Sequence, residues 1–355
     1  MKPRIFGTPL AHTLRKVSRS LYLSFRVLPD EIRETLALGY LLCRAADSLA
    51  DTRLLPGQKR LSALEQFRAI FLNQEEGASA AAKIRSEFAD RQDLPAERLL
   101  LDQFPLCLTL WRESPDPEKS LVRDVVLEVT EGMLTDLRCF SGDTENEIQA
   151  LPSAEELDRY CGFIGGAPGV FWSRLCLERL EILQDCPIEE KHIWVTQGRD
   201  LGKGLQMVNI LRDAASDLRI GRCYFPKEEL ASTGLSPRDL LAPASLARFR
   251  PILRHWTQRC LEYLEGAEKY LSRIPVGHWR LRAGVFWPVW IALETLALIA
   301  GSEKLLQPQA RVKMSRVNLY LALLKSAPGI VSQNELARST SRLRDRVATQ
   351  IRPGR

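Results

Sequence analysis

The chain has 355 residues, of which 45% are hydrophobic, and a formal net charge of +6. This length and apolar content suffice for a large buried core, and the dispersed glycine and proline residues exclude collagen-like and fibrous proteins. The basic excess is mild, and the sequence has no nucleic-acid module or basic patch interleaved with aromatic residues, so we expect no nucleic-acid partner.

The spacing of the cysteines and histidines argues against a C-x-x-C redox or metal motif and against a zinc site. The eight cysteines contain no C-x-x-C pair, and the four histidines lack zinc-site spacing. We therefore expect the cysteines to be small core side chains in a reducing compartment. Residues 1–12 lack the apolar run of a signal peptide. We expect a cytoplasmic protein, for which peripheral association with a membrane surface stays open.

Apolar residues recur at three- and four-residue spacing along nearly every long segment, and no segment shows the alternation of a strand. The sequence therefore predicts an all-α, single-domain fold. The predicted helices cover residues 9–27, 31–52, 58–74, 96–112, 117–140, 153–184, 188–219, 243–273, 279–301 and 308–326. Their breaks fall at prolines, glycines and the low-complexity stretch 75–82.

Two segments bear on membrane contact. Residues 285–301 are strongly apolar but contain Pro288 and Glu294, and we interpret them as a buried helix rather than a membrane span. We assign residues 1–330 to the helical domain and 331–355 to a basic tail. The densest part of that tail, 341–355, is interpreted as solvated and disordered, with contact to anionic lipid as the alternative.

The predicted helix 31–52 carries acids and a base among apolar neighbours. Tyr40, Arg44, Asp47 and Asp51 are spaced by four, three and four residues and share about 60° of arc. The other faces of the helix are apolar, so the polar stripe is narrow.

A second stripe lies on the predicted helix 188–219. Gln206, Asn209, Asp213 and Asp217 are spaced by three, four and four residues, so they also share one face. Asp47/Asp51 and Asp213/Asp217 are the only acid pairs four residues apart with aspartate at both ends.

Two like charges on a mainly apolar helix are costly unless a base or a cation neutralises them. An internal salt bridge is one explanation. The other explanation is a bound Mg²⁺. Aspartate oxygens one helical turn apart can share this ion, and phosphate oxygens of a substrate can complete its coordination shell. Arg19, Arg44, Arg212 and Arg222 are placed to bind such a phosphate.

Several motifs resemble the squalene/phytoene synthase family, in the same order along the chain. They are SRS at 18–20, YLLCRAADSLAD at 40–51, EGMLTDL at 131–137, YCGFIGGAPG at 160–169, QMVNILRDAASDLRIGRCYFP at 206–226 and IPVGHWRLRAGVFWPVWIALETLALI at 274–299. The resemblance covers roughly residues 10–305. Leu21 and the stretch 162–166 depart from the commoner family pattern, which bears on substrate length more than on the chemistry.

The resemblance implies one helical domain around a central apolar cavity, with the two aspartate motifs facing each other near its mouth. It implies that Mg²⁺ is held by Asp47, Asp51, Asn209, Asp213 and Asp217. It implies substrate-binding roles for Ser18, Arg19, Arg44, Gln206, Asn209 and Arg222. It implies catalytic roles for Tyr40, Arg44, Tyr160, Arg212, Arg222 and Tyr224.

The chemistry also requires a dry cavity whose aromatic rings can stabilise cations. The candidate rings are Phe163, Phe171, Trp172, Phe286, Trp287 and Trp290, although for each ring alone core packing is the simpler interpretation.

The reaction that the resemblance implies is a Mg²⁺-dependent, head-to-head condensation of two farnesyl diphosphates through presqualene diphosphate. NADPH-dependent reduction to squalene would follow. Phytoene, dehydrosqualene and presqualene diphosphate synthases are the alternatives within the family, and a non-catalytic helical assembly factor is the alternative outside enzymes. A terpene cyclase is disfavoured because the chain lacks a D-D-x-x-D pattern. The oligomeric state stays open.

Overall fold

The computed structural model describes residues 4–18, 21–72, 77–181, 186–308, 312 and 314–352. The first α-helices in chain order are α1 (Pro9–Ser18), α2 (Leu21–Val27), α3 (Asp30–Asp51), α4 (Gly57–Leu72), α5 (Gly77–Phe88), α6 (Pro95–Asp102), α7 (Phe104–Glu113) and α8 (Glu118–Cys139). The later ones are α9 (Ala154–Cys161), α10 (Ala167–Arg179), α11 (Ile188–Leu218), α12 (Lys227–Ser232), α13 (Leu246–Glu265), α14 (Ala267–Ser272), α15 (Trp279–Ala300), α16 (Arg316–Val331) and α17 (Gln333–Ile351). The prediction of an all-α fold is confirmed.

Among the described residues, strand pairing is confined to two short segments. β1 (Gln149–Ala150) pairs in parallel with β2 (Arg222–Cys223), with Gln149 opposite Arg222. This pairing holds the segment that follows α11 against the segment that precedes α9.

Two predicted helices are interrupted. The segment predicted as 153–184 contains a π-helical turn at Gly162–Gly166 between α9 and α10. The segment predicted as 9–27 contains α1 and α2, and residues 19–20 between them lie outside the described residues. The segment predicted as 243–273 begins with a 3₁₀ turn at Pro243–Ser245 and divides into α13 and α14 at Gly266. Glycine at these interruptions tolerates backbone geometries that weaken a continuous helix.

The stretch 75–82, predicted as a break, is helical from Gly77, where α5 begins, and residues 75–76 lie outside the described residues. Its alanines have the highest intrinsic helix propensity, and Ala81 and Ile84 are buried. The last helix predicted, 308–326, lies instead at Arg316–Val331, where Ser315 caps its N-terminus by accepting a hydrogen bond from the Asn318 N–H.

The helical domain divides into two compact units. The first unit comprises Met1–Arg138 and Ala167–Val195, and its core forms where α3 packs against α4, α7 and α10. The second unit comprises Cys139–Gly166 and Thr196–Arg355. There α15, α16 and α17 pack against one another, and α13 packs against α15 and α17.

The expectation that residues 341–355 are disordered does not hold for 341–351, which belong to α17. This helix makes up most of the predicted tail 331–355, and its buried side chains Leu336, Thr340, Leu343 and Val347 follow one another at helical spacing. Burying each large aliphatic side chain stabilises the fold by about 1.5–3 kcal/mol. The basic residues project outward, and Arg346 pairs with Glu294 of α15. The predicted boundary at 330 also falls inside α16.

The apolar segment that ends at Ala300 forms one helix. By length and composition alone, this helix could cross a membrane. Within Val276–Ala300 the most apolar window is 67% buried in the structure, as expected of a core helix. The cysteines are free thiols, and five of them are buried. Burial raises the pKa of Cys107 and Cys223 to about 12, so these thiols act as small core side chains.

Candidate functional site

The first aspartate motif lies on α3 in the first unit. Nine apolar side chains between Ile32 and Leu49 bury the other faces of this helix. Tyr40, Arg44 and Asp47 are half-buried, and Asp51 at the end of the helix is exposed. The narrow polar stripe that the spacing predicts is therefore present.

Arg44 lies between two carboxylates. Its guanidinium donates to Asp47 on the same helix and to Glu97 in the first turn of α6. Burial lowers the pKa of Arg44, but the charges of Asp47 and Glu97 outweigh it and raise that pKa above its ordinary value. The guanidinium is therefore a fixed positive charge at the motif.

Glu97 is missing from the residues that the sequence identified. Pro95 at the start of α6 indicates a helix N-terminus, where an acidic residue is ordinary. No local pattern relates this residue to Arg44, which lies 53 positions earlier.

Tyr40 connects α3 to the end of α1. Its hydroxyl donates to the Val17 carbonyl over 3.2 Å, and its ring meets Phe25 edge-on at 5.4 Å. Ser18 is buried and donates to the Leu14 carbonyl one turn earlier. Arg19, the other predicted residue of the S-R-S motif, lies outside the described residues. Tyr40 thus holds the residue that directly precedes this motif.

The second aspartate motif lies on α11 in the second unit. Arg212 grips its neighbour Asp213 with two parallel hydrogen bonds, the one from Nε measuring 2.9 Å. This bond to Asp213 raises the pKa of Arg212, as do the charges of Asp213 and Asp217, against the opposing effect of burial. One turn earlier, Asn209 donates to the Gln206 side chain over 3.3 Å.

In each unit, therefore, an arginine pairs with the first aspartate of the motif. The internal salt bridge that the sequence left open is present at Asp47 and at Asp213. Their side chains remain 30% and 42% exposed, so their oxygens are accessible to a ligand. No cluster of three metal-ligating side chains occurs among the described residues.

This donor set fits Mg²⁺, which is usually bound by one or two carboxylates and completed by water and phosphate oxygens. Asp47 and Asp51 could hold the ion in the first unit, and Asp213, Asp217 and Asn209 could hold it in the second. The arginine partners could then bind the phosphate.

Two predicted tyrosines meet in the core of the second unit. The hydroxyls of Tyr160 and Tyr224 are 3.2 Å apart, either of them can donate, and the rings stack at 4.9 Å. Phe140 packs edge-on against Tyr224 at 5.3 Å. The sequence places these tyrosines 64 residues apart, and the pairing of β1 with β2 beside Arg222 brings them together.

The π-helical turn positions Tyr160 next to α11. A Cβ added at Gly202 would lie 2.6 Å from the carbonyl carbon of Gly165, and one added at Gly165 would lie 2.8 Å from the Cβ of Gln206. The two backbones thus touch where only glycine fits. The stretch 162–166 that departs from the family pattern is the stretch that makes this contact.

A polar cluster that the sequence did not reveal supports the same region. Asp158 on α9 accepts hydrogen bonds from Lys203 of α11, over 2.6 Å, and from the hydroxyl of Tyr263 on α13. Lys203 also lies 4.7 Å from the centre of the Tyr263 ring. Burial, and secondarily Asp158, raise the pKa of nearby Asp200 against the effect of Lys203. The cluster ties three helices together two residues before Tyr160.

Two of the candidate aromatic rings pack against backbone. Phe171 lies against α3 at Gly39, where an added Cβ would be 2.7 Å from the ring, and Phe286 lies equally close to Gly329. Phe286 also meets Trp290 edge-on at 5.5 Å. These rings have core-packing roles, while Phe163, Trp172 and Trp287 are half-buried.

Comparison with known proteins gives one family and several relatives. A bifunctional lycopene cyclase/phytoene synthase of Colletotrichum graminicola is 28% identical over 275 residues, covering 77% of this chain and 43% of that protein. The squalene synthase of Schizosaccharomyces pombe is 24% identical over 302 residues, covering 84% and 61%. The presqualene diphosphate synthase of Rhodopseudomonas palustris is 27% identical over 277 residues, covering 75% and 79%. The chain thus spans less than two thirds of the first two relatives.

Solved structures agree with the fold. The complex structure of TcSQS with a ligand matches with a TM-score of 0.75 at 19% identity and covers 96% of this chain and 94% of that chain. The family model for squalene/phytoene synthase matches residues 14–318, a range that includes both aspartate motifs and the tyrosine pair. This chain belongs to the squalene/phytoene synthase family.

Proposed function

We propose that this protein is a prenyltransferase that condenses two isoprenoid diphosphates head to head. The observation that carries the proposal is the pair of aspartate motifs, each flanked on its helix by buried apolar side chains and each with an arginine bound to its first aspartate. Membership of the squalene/phytoene synthase family supports the same chemistry.

Bound Mg²⁺ would supply electron withdrawal from the diphosphate leaving group, which favours ionisation of the allylic C–O bond. Residues of this chain bind and position the diphosphate. Arg44 and Arg212 can exchange an aspartate oxygen for a diphosphate oxygen, because a guanidinium binds carboxylate and phosphate with the same fork of donors. Glu97 keeps Arg44 in place during that exchange, since it holds the guanidinium independently of Asp47.

A proton must leave when the second substrate's double bond attacks the allylic cation and the cyclopropane ring closes. The Tyr160–Tyr224 pair can relay this proton, because both hydroxyls are buried, in hydrogen-bond contact and able to donate in either direction. The diphosphate released on ionisation is the base that finally takes the proton. Their stacked rings also keep water away from this part of the second unit.

The more specific form of the proposal is a squalene synthase that uses farnesyl diphosphate. Presqualene diphosphate would be formed first and then reduced by NADPH. The Schizosaccharomyces pombe relative supports this form, while the Rhodopseudomonas palustris and Colletotrichum graminicola relatives support a product that stops at presqualene diphosphate or a phytoene-type product. No group of described residues identifies a nicotinamide site.

One assay distinguishes these forms. The purified chain is incubated with farnesyl or geranylgeranyl diphosphate and Mg²⁺, with and without NADPH, and the products are identified by mass spectrometry. Squalene formed only with NADPH supports the specific proposal. Presqualene diphosphate under both conditions, or a C40 hydrocarbon from the longer substrate, replaces it with the corresponding alternative. A chain that releases no diphosphate from either substrate is not a prenyltransferase, and a binding or assembly role then takes precedence.

A further inference from the structure

The helix α16 presents an uncovered apolar face in the second unit. Its exposed side chains are Val317, Tyr320, Leu321, Leu324, Pro328 and Val331. At 100° per residue these positions share about 100° of arc on one side of the helix. Val317, Tyr320 and Leu324 are 68%, 61% and 71% exposed. The opposite side, which includes Ala322 and Ile330, is buried as α16 packs on α15 and α17. The helix is therefore apolar on both sides, but only one side is covered.

A neighbouring turn extends this face. The 3₁₀ turn Val276–His278 packs against α16, and Val276 and Trp279 are themselves about half exposed. We call Val276, Trp279 and the six exposed side chains of α16 the α16 face.

Arg282 fixes the two parts of the α16 face to each other. Its side chain is fully buried and donates to backbone carbonyls on both sides of the join: Leu271, Ile274, Gly329 and Ile330. Two of these carbonyls precede the turn and two lie at the end of α16. These hydrogen bonds hold the turn and the end of α16 in fixed relative positions, so the face is a stable feature of the fold.

The segments that form the face carry charges of one sign in the sequence. Residues 269–293 and 304–334 contain no aspartate or glutamate. Outside the buried Arg282, the basic side chains of these segments that the structure describes are Lys269, Arg273, Arg280, Lys304 and Lys325. Lys325 is exposed directly beside Leu324. An exposed apolar face with a lysine beside it, in segments whose charged residues are all basic, is complementary to anionic lipid headgroups above an acyl layer. A second copy placed on it by a two-fold axis would bring like charges together.

We propose that the α16 face docks on the anionic surface of a lipid bilayer. The aliphatic side chains enter the boundary between headgroups and acyl chains, Trp279 lies at headgroup depth, and Lys325 contacts lipid phosphate. This docking is independent of the proposed reaction and places the α16 face at a membrane surface.

Vesicle co-sedimentation of the full chain tests the proposal. Vesicles of phosphatidylcholine alone are compared with vesicles that also contain phosphatidylglycerol, at low and at high salt. We expect binding to the mixed vesicles that weakens as salt rises. Leu324→Glu should weaken it at least tenfold, and Lys325→Glu at least about fivefold. Leu72→Glu, on α4 of the first unit, is the matched control at a side chain 60% exposed, and it should bind as the wild type does.

Leu324 and Lys325 are solvent-exposed, so both variants should retain the wild-type circular dichroism, which checks that they fold. Wild-type chain that stays in the supernatant with mixed vesicles overturns the proposal. So does a Leu324→Glu variant that binds as tightly as the wild type, or equal binding to neutral vesicles. A wild-type dimer in gel filtration that Leu324→Glu converts to a monomer would assign the face to a second copy instead. Since none of these readouts requires turnover, failure of the proposed reaction would leave them unaffected.

Discussion

Substitution of two glycines near Tyr160 should have opposite effects on stability. Gly162 lies in the π-helical turn and Gly202 lies on α11, which packs against that turn. Of the two, Gly202 is at the contact and Gly162 is not. A Cβ at Gly202 would lie 2.6 Å from the carbonyl carbon of Gly165 and 3.1 Å from the amide nitrogen of Gly166. These are backbone atoms, so no side-chain rotation relieves the overlap.

The structure gives a magnitude for each change. Overpacking of this kind costs about 1–3 kcal/mol, and alanine recovers about 0.5–1 kcal/mol of the entropy that glycine loses in a helix. Gly202→Ala should therefore destabilise the fold by about 1–2 kcal/mol. Gly162 has helical φ and ψ of −60° and −44°, and an added Cβ there meets no heavy atom within 4 Å. Gly162→Ala should stabilise the fold by about 0.5–1 kcal/mol.

Urea unfolding followed by circular dichroism measures both free energies of unfolding, and diphosphate release measures the effect on the site. Displacement of the turn moves α9 and Tyr160, so Gly202→Ala should also reduce kcat under conditions where the variant is fully folded. Gly162→Ala should keep the wild-type kcat. A Gly202→Ala variant as stable as the wild type would refute the reasoning, because it would mean that the two backbones are not in contact.

Three further predictions concern charge and burial. Glu97→Gln should lower the free energy of unfolding by about 1 kcal/mol even at high salt, because it replaces a charge-assisted hydrogen bond to the half-buried Arg44. The control is Glu65→Gln, whose salt bridge to Arg138 is half exposed, and it should lower that free energy by less than about 0.5 kcal/mol. Urea unfolding midpoints measure both changes. Arg282→Met should cost about 3 kcal/mol or more, since it removes hydrogen bonds to four backbone carbonyls, of which that of Leu271 keeps a bond from the Ile274 N–H; a loss under about 1 kcal/mol would contradict that role. Burial raises the pKa of Cys223 to about 12, so the folded chain holds this proton to a higher pH than the unfolded chain. Stability should therefore be fully present below about pH 8.5 and fall as the pH rises toward 12, more steeply than in Cys223→Ala.

Patterns within one helix could be predicted from the sequence. The stripes on α3 and α11 depend on residues three and four positions apart, and local spacing alone fixes which of them share a face. The burial of α15 was also predicted, from its run of apolar residues. The pairing of Arg44 with Asp47 was one of two explanations that this spacing left open.

Features that depend on distant contacts could not be predicted in this way. Glu97 reaches Arg44 because α6 lies beside α3, and Asp158 meets Lys203 and Tyr263 because three helices converge. The helix α17 was mistaken for a tail because its arginines dominate the composition, while its buried residues Leu336, Leu343 and Val347 have meaning only against α15. The exposed face of α16 could not be predicted either, because which side of a helix is exposed depends on the helices that pack against it.

The central claim is that both aspartate motifs bind metal and diphosphate. Release of inorganic diphosphate from farnesyl diphosphate, with Mg²⁺ and then with EDTA, tests it most directly in the wild type, Asp47→Asn and Asp213→Asn. We predict Mg²⁺-dependent release by the wild type and a loss of at least about a hundredfold in each variant, with circular dichroism unchanged. Wild-type rates in either variant, or release that persists in EDTA, would contradict the claim.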